Sequence, residues 1–171
     1  MNWLQGLIGW FLPLLLVIAP MSAFAADPDA LPRLFDRALA LSREGDPERA
    51  LPIWDQVLEL APTDAAAWSN RGNVRLMLGD PDGAIADQTR SMELAPDDVD
   101  PHLNRGTAEE ALQRWPEAAA DYEWILERDP GDASALYNLG NVRGSLGDWR
   151  EAQRLYRQAA DARPGFAMAR S

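Results

Sequence analysis

The sequence predicts an all-α protein built from four copies of one helical unit, and three ladders of residues predict it. Pro62, Pro96, Pro130 and Pro164 stand 34 residues apart (96 − 62, 130 − 96 and 164 − 130). Ala50, Ala84, Ala118 and Ala152 keep the same step twelve residues earlier, and Ala38, Gly72, Gly106 and Gly140 make a third ladder of small residues. Three ladders in register without a gap mark an internal repeat.

The units follow in order. Residues 27–30 read as a short linker with helix-start signals, and Pro32 suits a first helical turn. The first copy spans 31–64. Leu34, Ala38 and Leu41 stand at helical spacing and the helix stops at Gly45. Asp46-Pro47-Glu48 then restarts the chain with an Asp cap, a Pro at the first helical position and an acid in the first turn. The second helix turns Ala50, Trp54 and Val57 inward and ends near Leu60, ahead of Pro62.

The second copy, 65–98, follows the cap candidates Thr63 and Asp64. It faces Trp68 and Gly72 toward its partner helix and turns at Gly79-Asp80-Pro81. The third, 99–132, opens on Asp97 and Asp98 and places Gly106 and Leu112 inward. Its turn reads Gln113-Arg114-Trp115-Pro116, and losing Gly at a left-handed cap position costs on the order of 1 kcal/mol. The fourth, 133–166, restores Gly147-Asp148-Trp149 and directs Leu136, Leu139, Gly140 and Tyr156 inward. The small ladders are expected where paired helix axes come closest. The prolines end the second helices, because Pro has no N–H and disfavours helix in the residue before it. Residues 167–171 form a C-terminal stub too short for a capping helix, so the last apolar face is expected either to stay exposed or to meet a partner or a second copy.

This 34-residue unit, with its small–small–proline offsets, resembles the tetratricopeptide repeat over about residues 31–166. The resemblance implies a right-handed α-solenoid of four helix–turn–helix repeats whose first helices line a concave groove. It also implies a non-enzymatic scaffold that binds a partner protein or peptide in that groove.

Composition narrows the partners. A net charge of −11 and a pI of about 4.4 argue against nucleic acid and against an anionic membrane surface. The acidic surface serves solubility, with a cationic partner as the alternative. There is no cysteine, which removes disulfides and thiolate chemistry.

Residues 1–26 carry no charged side chain, and Asp27 is the first. Leu7–Ala19 is apolar, broken by Gly9 and Pro13, and Ala23-Phe24-Ala25 is a small-x-small cleavage pattern. That order reads as an export signal; the alternative is an uncleaved membrane anchor. Asn70-Arg71-Gly72, Asn104-Arg105-Gly106 and Ile85-Ala86-Asp87 are similar in style to repeats of cyanobacterial and chloroplast proteins. That likeness implies a thylakoid lumen, and assembly or maintenance of a photosynthetic membrane complex; a periplasm is the other compartment expected for an exported chain.

Charges come and go in pairs along the repeats. Arg71 and Asp87 in the second copy, and Arg105 and Asp121 in the third, occupy the slots of Leu139 and Leu155 in the fourth. Structural ion pairs Arg71–Asp87 and Arg105–Asp121 between the two helices of a repeat are expected. The first copy breaks the rule, with Arg37 opposite Ile53.

Asn70, Asn104 and Asn138 recur at the 34-residue step, and Asn73 and Asn141 add a second partial row. Amides on first helices can donate to and accept from an extended peptide backbone. These five, with Tyr137 as an apolar anchor, are the candidate partner-binding residues. Members of the family that grip the C-terminal carboxylate of chaperones use two Lys, two Asn and one Arg on three first helices. The matching slots here hold Ser69, Asn73, Asn104, Ser134 and Asn138, or Phe35, Leu39, Asn70, Asp100 and Asn104 one repeat earlier. Every cation is missing, so no such carboxylate clamp is expected. Arg75 and Arg143 are expected to lie over a neighbouring repeat or to face an acidic ligand.

Nothing points to catalysis. His102, the only histidine, shares its slot with Trp68 and Leu136 and reads as a packed helix residue. One His and no Cys make no ordinary metal cluster, and Asp80-x-Asp82-Gly83 lacks the twelfth-position ligand of a calcium loop. No Gly-rich phosphate loop is present, and no cofactor is expected. Trp54, Trp68, Trp115, Trp124 and Trp149 read as packing residues at inner faces or turns. A self-associating unit, using the end after Phe166, is the alternative to the scaffold.

Overall fold

The computed structural model describes residues 29–162. The chain divides into a unit over Met1–Ala30, of which only Asp29 and Ala30 are described, and a unit over Leu31–Ser171 that holds the repeats. The export or anchor segment, Pro164, Phe166 and the stub lie outside the described residues.

Eight helices run through the described residues, paired two to a repeat: α1 Ala30–Glu44, α2 Pro47–Leu60, α3 Ala65–Met77, α4 Pro81–Leu94, α5 Asp100–Ala111, α6 Trp115–Arg128, α7 Ala133–Ser145 and α8 Trp149–Ala162. The first helix starts at Ala30, inside the expected linker. The fold is an all-α solenoid of helix–turn–helix repeats. Among the described residues α4 and α6 each pack on their own first helix and on the next one along, α2 packs on α1 and α3 and α8 packs on α7, while α3 meets α5 and α5 meets α7.

The prolines act through the residue before them. Ala61, Ala95 and Asp129 precede Pro62, Pro96 and Pro130, and their backbones open to φ/ψ of −133/69, −137/77 and −130/90. Those are extended-side values forced by the proline ring. Each residue still donates its N–H to the helix it leaves, at 2.8 to 2.9 Å.

The turns inside the repeats share one hydrogen-bond pattern. Asp46, Asp80, Arg114 and Asp148 each donate N–H to a carbonyl five residues back, at 2.9 to 3.0 Å. This closure needs a left-handed residue just before the donor. Gly45, Gly79 and Gly147 supply it at φ 74, 79 and 83, and Gln113 is driven to φ 57 to do the same. The third repeat also loses its cap. Asp46, Asp80 and Asp148 accept from the N–H of Arg49, Gly83 and Glu151, whereas Arg114 has no oxygen to offer. Gln113→Gly is expected to stabilise the fold by about 1 kcal/mol in urea unfolding.

One expected cap is replaced. Asp64 and Asp132 accept the N–H of Ala67 and Ala135 at 2.9 and 2.7 Å. In the third repeat the corresponding donor is Pro101, which has no N–H. Asp98 bonds the N–H of Asp100 instead, at 3.1 Å, and α5 starts late, behind an uncapped Val99.

The glycine ladder makes room for side chains of the second helices as well as for their approach. A Cβ on Gly106 would lie 2.6 Å from the Tyr122 ring, and one on Gly140 2.6 Å from the Tyr156 ring. Gly72 clears the Gln88 amide and the α4 backbone. The glycines make room for a side chain from the second helix, and Gly72 also meets its backbone.

The core is apolar at both ends and polar in the middle. One apolar cluster joins Ala38, Leu41, Ala50, Ile53, Trp54, Val57, Leu58, Ala67 and Val74. The other joins residues of α6, α7 and α8 around Tyr122, Ile125, Leu136, Leu139 and Leu155. The buried polar residues, Ser69, Asp87, Gln88, Ser91, His102, Glu109 and Asp121, all lie on α3 to α6. Trp149 does not pack as expected: it is 71% exposed at the start of α8, with the edge of its ring over Gly144.

Candidate functional site

The central repeats are tied together by two arginine–carboxylate networks. Arg71 on α3 donates Nε and Nη2 to the two oxygens of Asp87 on α4, at 2.8 and 2.7 Å. Its Nη1 reaches back to Asp55 on α2 at 2.8 Å, so one guanidinium joins three consecutive helices. Arg75, one turn along, donates to the same Asp87 at 2.9 Å. The third repeat copies the arrangement: Arg105 grips Asp121 with two bonds of 2.8 Å and touches Thr89 at 3.2 Å.

The Asp87 and Asp121 side chains are 2% and 4% exposed, so the pairs are largely removed from water. Hydrogen bonds to Asp87 hold the Arg71 pKa above its ordinary value against the opposing effect of burial. Asp121 does the same for Arg105. In the fourth repeat Leu139 and Leu155 fill these slots, both buried.

Arg75 and Arg143 are also engaged by acids. Arg75 lies within its own repeat, on Asp87, and Arg143 reaches back one repeat to Glu123. Neither is free to face an acidic ligand.

The two asparagine rows differ in setting. Asn70 donates to the Ala66 carbonyl of its own helix at 2.8 Å. Asn104 reaches Ser69 across the repeat boundary at 3.4 Å, a long contact. Asn138 is half-buried and makes no side-chain hydrogen bond among the described residues.

The second row is held from behind. Gln88 donates Nε2 to the Ser69 carbonyl at 2.9 Å and to Asn73 Oδ1 at 3.0 Å. A carbonyl only accepts, so Gln88 must turn its NH2 that way; Asn73 then gives Gln88 its oxygen and keeps its own NH2 clear. The Gln88 Oε1 is left buried without a partner. In the fourth repeat the Tyr156 hydroxyl bonds Asn141 Oδ1 at 2.9 Å.

A fourth ladder underlies these bonds. Trp54, Gln88, Tyr122 and Tyr156 are 34 residues apart, and each reaches from a second helix to a polar group on its own first helix. Trp54 bonds Ser42 at 3.0 Å and Tyr122 bonds Glu110 at 2.6 Å. The step was visible in the sequence; the polar tip at each rung was the signal. Burial raises the pKa of Glu110, with the Tyr122 hydrogen bond opposing it. Burial likewise raises the Tyr122 hydroxyl, and Glu110 adds to that. Tyr137 stands near this row, its ring 5.5 Å from that of Tyr156 at 46°.

His102 is packed. Its ring stacks on Trp124 at 3.6 Å, Arg128 covers a Trp124 face at 3.5 Å, and Nδ1 lies 2.9 Å from Asp121. Burial lowers the His102 pKa against the pull of Asp121. At 6% exposure it sits beside an acid but not in an open cleft. Among the described residues no three His, Cys, Asp or Glu side chains gather as a metal site, and no helix is long and apolar enough to cross a membrane.

Stacked helical hairpins with a polar row on the first helices define a repeat protein of the interaction type. Tetratricopeptide-repeat family profiles match residues 35–99 and 103–143, and another matches 135–167. The chain belongs to the tetratricopeptide repeat family. No curated protein sequence matches it.

Among solved structures, the chain is similar to MamA from Desulfovibrio magneticus RS-1. The identity is 20%, with 78% of this chain and 76% of that one covered, and the TM-score is 0.71. It is also similar to the Arabidopsis OM64 TPR domain, at 26% identity, 68% and 97% coverage and a TM-score of 0.65. The second TPR domain of human RPAP3, solved with the HSP70 peptide SGPTIEEVD, is similar at 26% identity, 64% and 92% coverage and a TM-score of 0.61.

Proposed function

We propose that the protein is an exported scaffold that holds an extended segment of a partner protein along the face formed by α3, α5 and α7. The observation that carries this is the amide row. Gln88 orients Asn73 and Tyr156 holds Asn141, while Asn138 has no protein partner among the described residues. Groups held in place and left short of partners suit a peptide backbone, which brings one donor and one acceptor per residue. The RPAP3 domain, which shares the repeat, was solved in complex with a peptide, and that supports a peptide as the kind of ligand.

An acidic C-terminal tail is a poor fit. The carboxylate-clamp slots contain no cation, and the arginines of these helices are already paired. Export rests on the reading of residues 1–26, with an uncleaved membrane anchor as its alternative, and a thylakoid lumen or periplasm is the compartment proposed. A task in assembly or maintenance of a photosynthetic membrane complex rests on repeat style. Self-association through the end after Phe166 is the alternative, and that end lies outside the described residues.

The test is a pull-down from the native membrane fraction with the full chain. Asn104→Ala/Asn138→Ala is expected to lower capture of the partner about thirtyfold, two hydrogen bonds at roughly 1 kcal/mol each. Equal capture by wild type and the double variant would remove the amide row as the binding surface.

A further inference from the structure

The charges on the first-helix face are unevenly settled. Every cation of α3, α5 and α7 is engaged by an acid: Arg71 and Arg75 by Asp87, Arg105 by Asp121 and Arg143 by Glu123. Glu110 is the converse. Its half-buried carboxylate has one protein partner among the described residues, the neutral Tyr122 hydroxyl at 2.6 Å, and no cation. Its neighbour Glu109 is taken by Arg114. A carboxylate withdrawn from water without a counter-charge is costly, and the cost falls when a cation arrives.

Aromatic rings lie on the adjoining helix pair. Tyr137 on α7 and Tyr156 on α8 pack at 5.5 Å, and α7 lies against α5. The Tyr156 hydroxyl is fixed on Asn141, and its pKa is raised by burial, by Tyr137 and by the Glu110 charge. A carboxylate with two electron-rich rings on the next repeat is the chemistry that receives an ammonium or guanidinium group. The net charge of −11 favours the same sign of ligand during approach.

We propose that Glu110, with the Tyr137–Tyr156 ring pair of the next repeat, is the anchor for a lysine or arginine side chain of the bound peptide. This rests on the peptide-binding reading above and names the partner class: a basic extended segment, its cation opposite Glu110 and its backbone along the amides.

Random linear peptides displayed against the immobilised full chain test it. The wild type is expected to enrich sequences with Lys or Arg at one fixed position. Glu110→Gln, which keeps an oxygen for Tyr122, is expected to weaken the selected peptide about tenfold or more while the thermal midpoint holds. Glu110→Lys is expected to recover binding when the peptide cation is changed to Glu. A selected peptide that Asn104→Ala/Asn138→Ala weakens but Glu110→Gln does not would overturn the anchor and leave the groove. Enrichment without a basic residue would overturn it too. Failure to select any peptide sensitive to the asparagine variants would sink the groove and the anchor together.

Discussion

Asp87→Ala is expected to destabilise the repeat domain by about 3–5 kcal/mol. The carboxylate is 2% exposed and receives two bonds from Arg71 and one from Arg75. Its removal strands two guanidiniums beside a buried hollow, and Asp55 reaches only one of them. The pair need not be a net source of stability, because both ions were first stripped of water. The fourth repeat shows the apolar solution with Leu139 and Leu155. Arg71→Leu/Asp87→Leu is therefore expected to recover most of the loss, with Arg75 turning to water. Urea unfolding of the two single variants and the double variant, read as a thermodynamic cycle, checks this. A double variant that loses the sum of the singles would show that the two groups are not coupled.

Tyr122→Ala is expected to cost about 3–5 kcal/mol, the range for a large aromatic cut out of a core. The ring is 0% exposed, fills the space that Gly106 leaves, and belongs to the apolar cluster at the C-terminal end of the described repeats. No neighbour can close the gap, since the facing residue has no side chain. Tyr122→Phe keeps the volume and loses only the bond to Glu110, so about 1 kcal/mol is expected. Thermal melts of the two variants separate ring from hydroxyl. If alanine costs no more than phenylalanine, the ring is not holding the two helices.

Much of this was legible because the repeat compares the chain with itself. The residue before each proline opens out as the ring requires. Gly45, Gly79 and Gly147 mark the left-handed positions, so Gln113 could be recognised as the strained copy. The Arg and Asp slots could be paired because both turn to Leu together. The site was less legible. Asp98 holds the place in its repeat that Asp64 and Asp132 hold in theirs, yet its donor three residues on is a proline. The glycines looked like close contacts between helix axes, although two of them lie under tyrosine rings. Gln88, Tyr122 and Tyr156 stood at the repeat step, but their partners could not be read from it. Those bonds span twelve to nineteen residues and depend on which way a side chain leaves its helix.

Backbone chemistry is local, so the residues alone settle where these helices start and stop and how many hairpins stack. Proline geometry, aspartate caps and left-handed glycines act within a few residues of themselves. Burial is not local. Which carboxylate keeps a cation and which is left with a neutral hydroxyl depends on the distances between helices once they pack. Asp87 and Glu110 are both acids on helices with arginines nearby in sequence. Packing gives Asp87 two guanidiniums and Glu110 a tyrosine, and that difference makes one a strut and leaves the other as the proposed anchor.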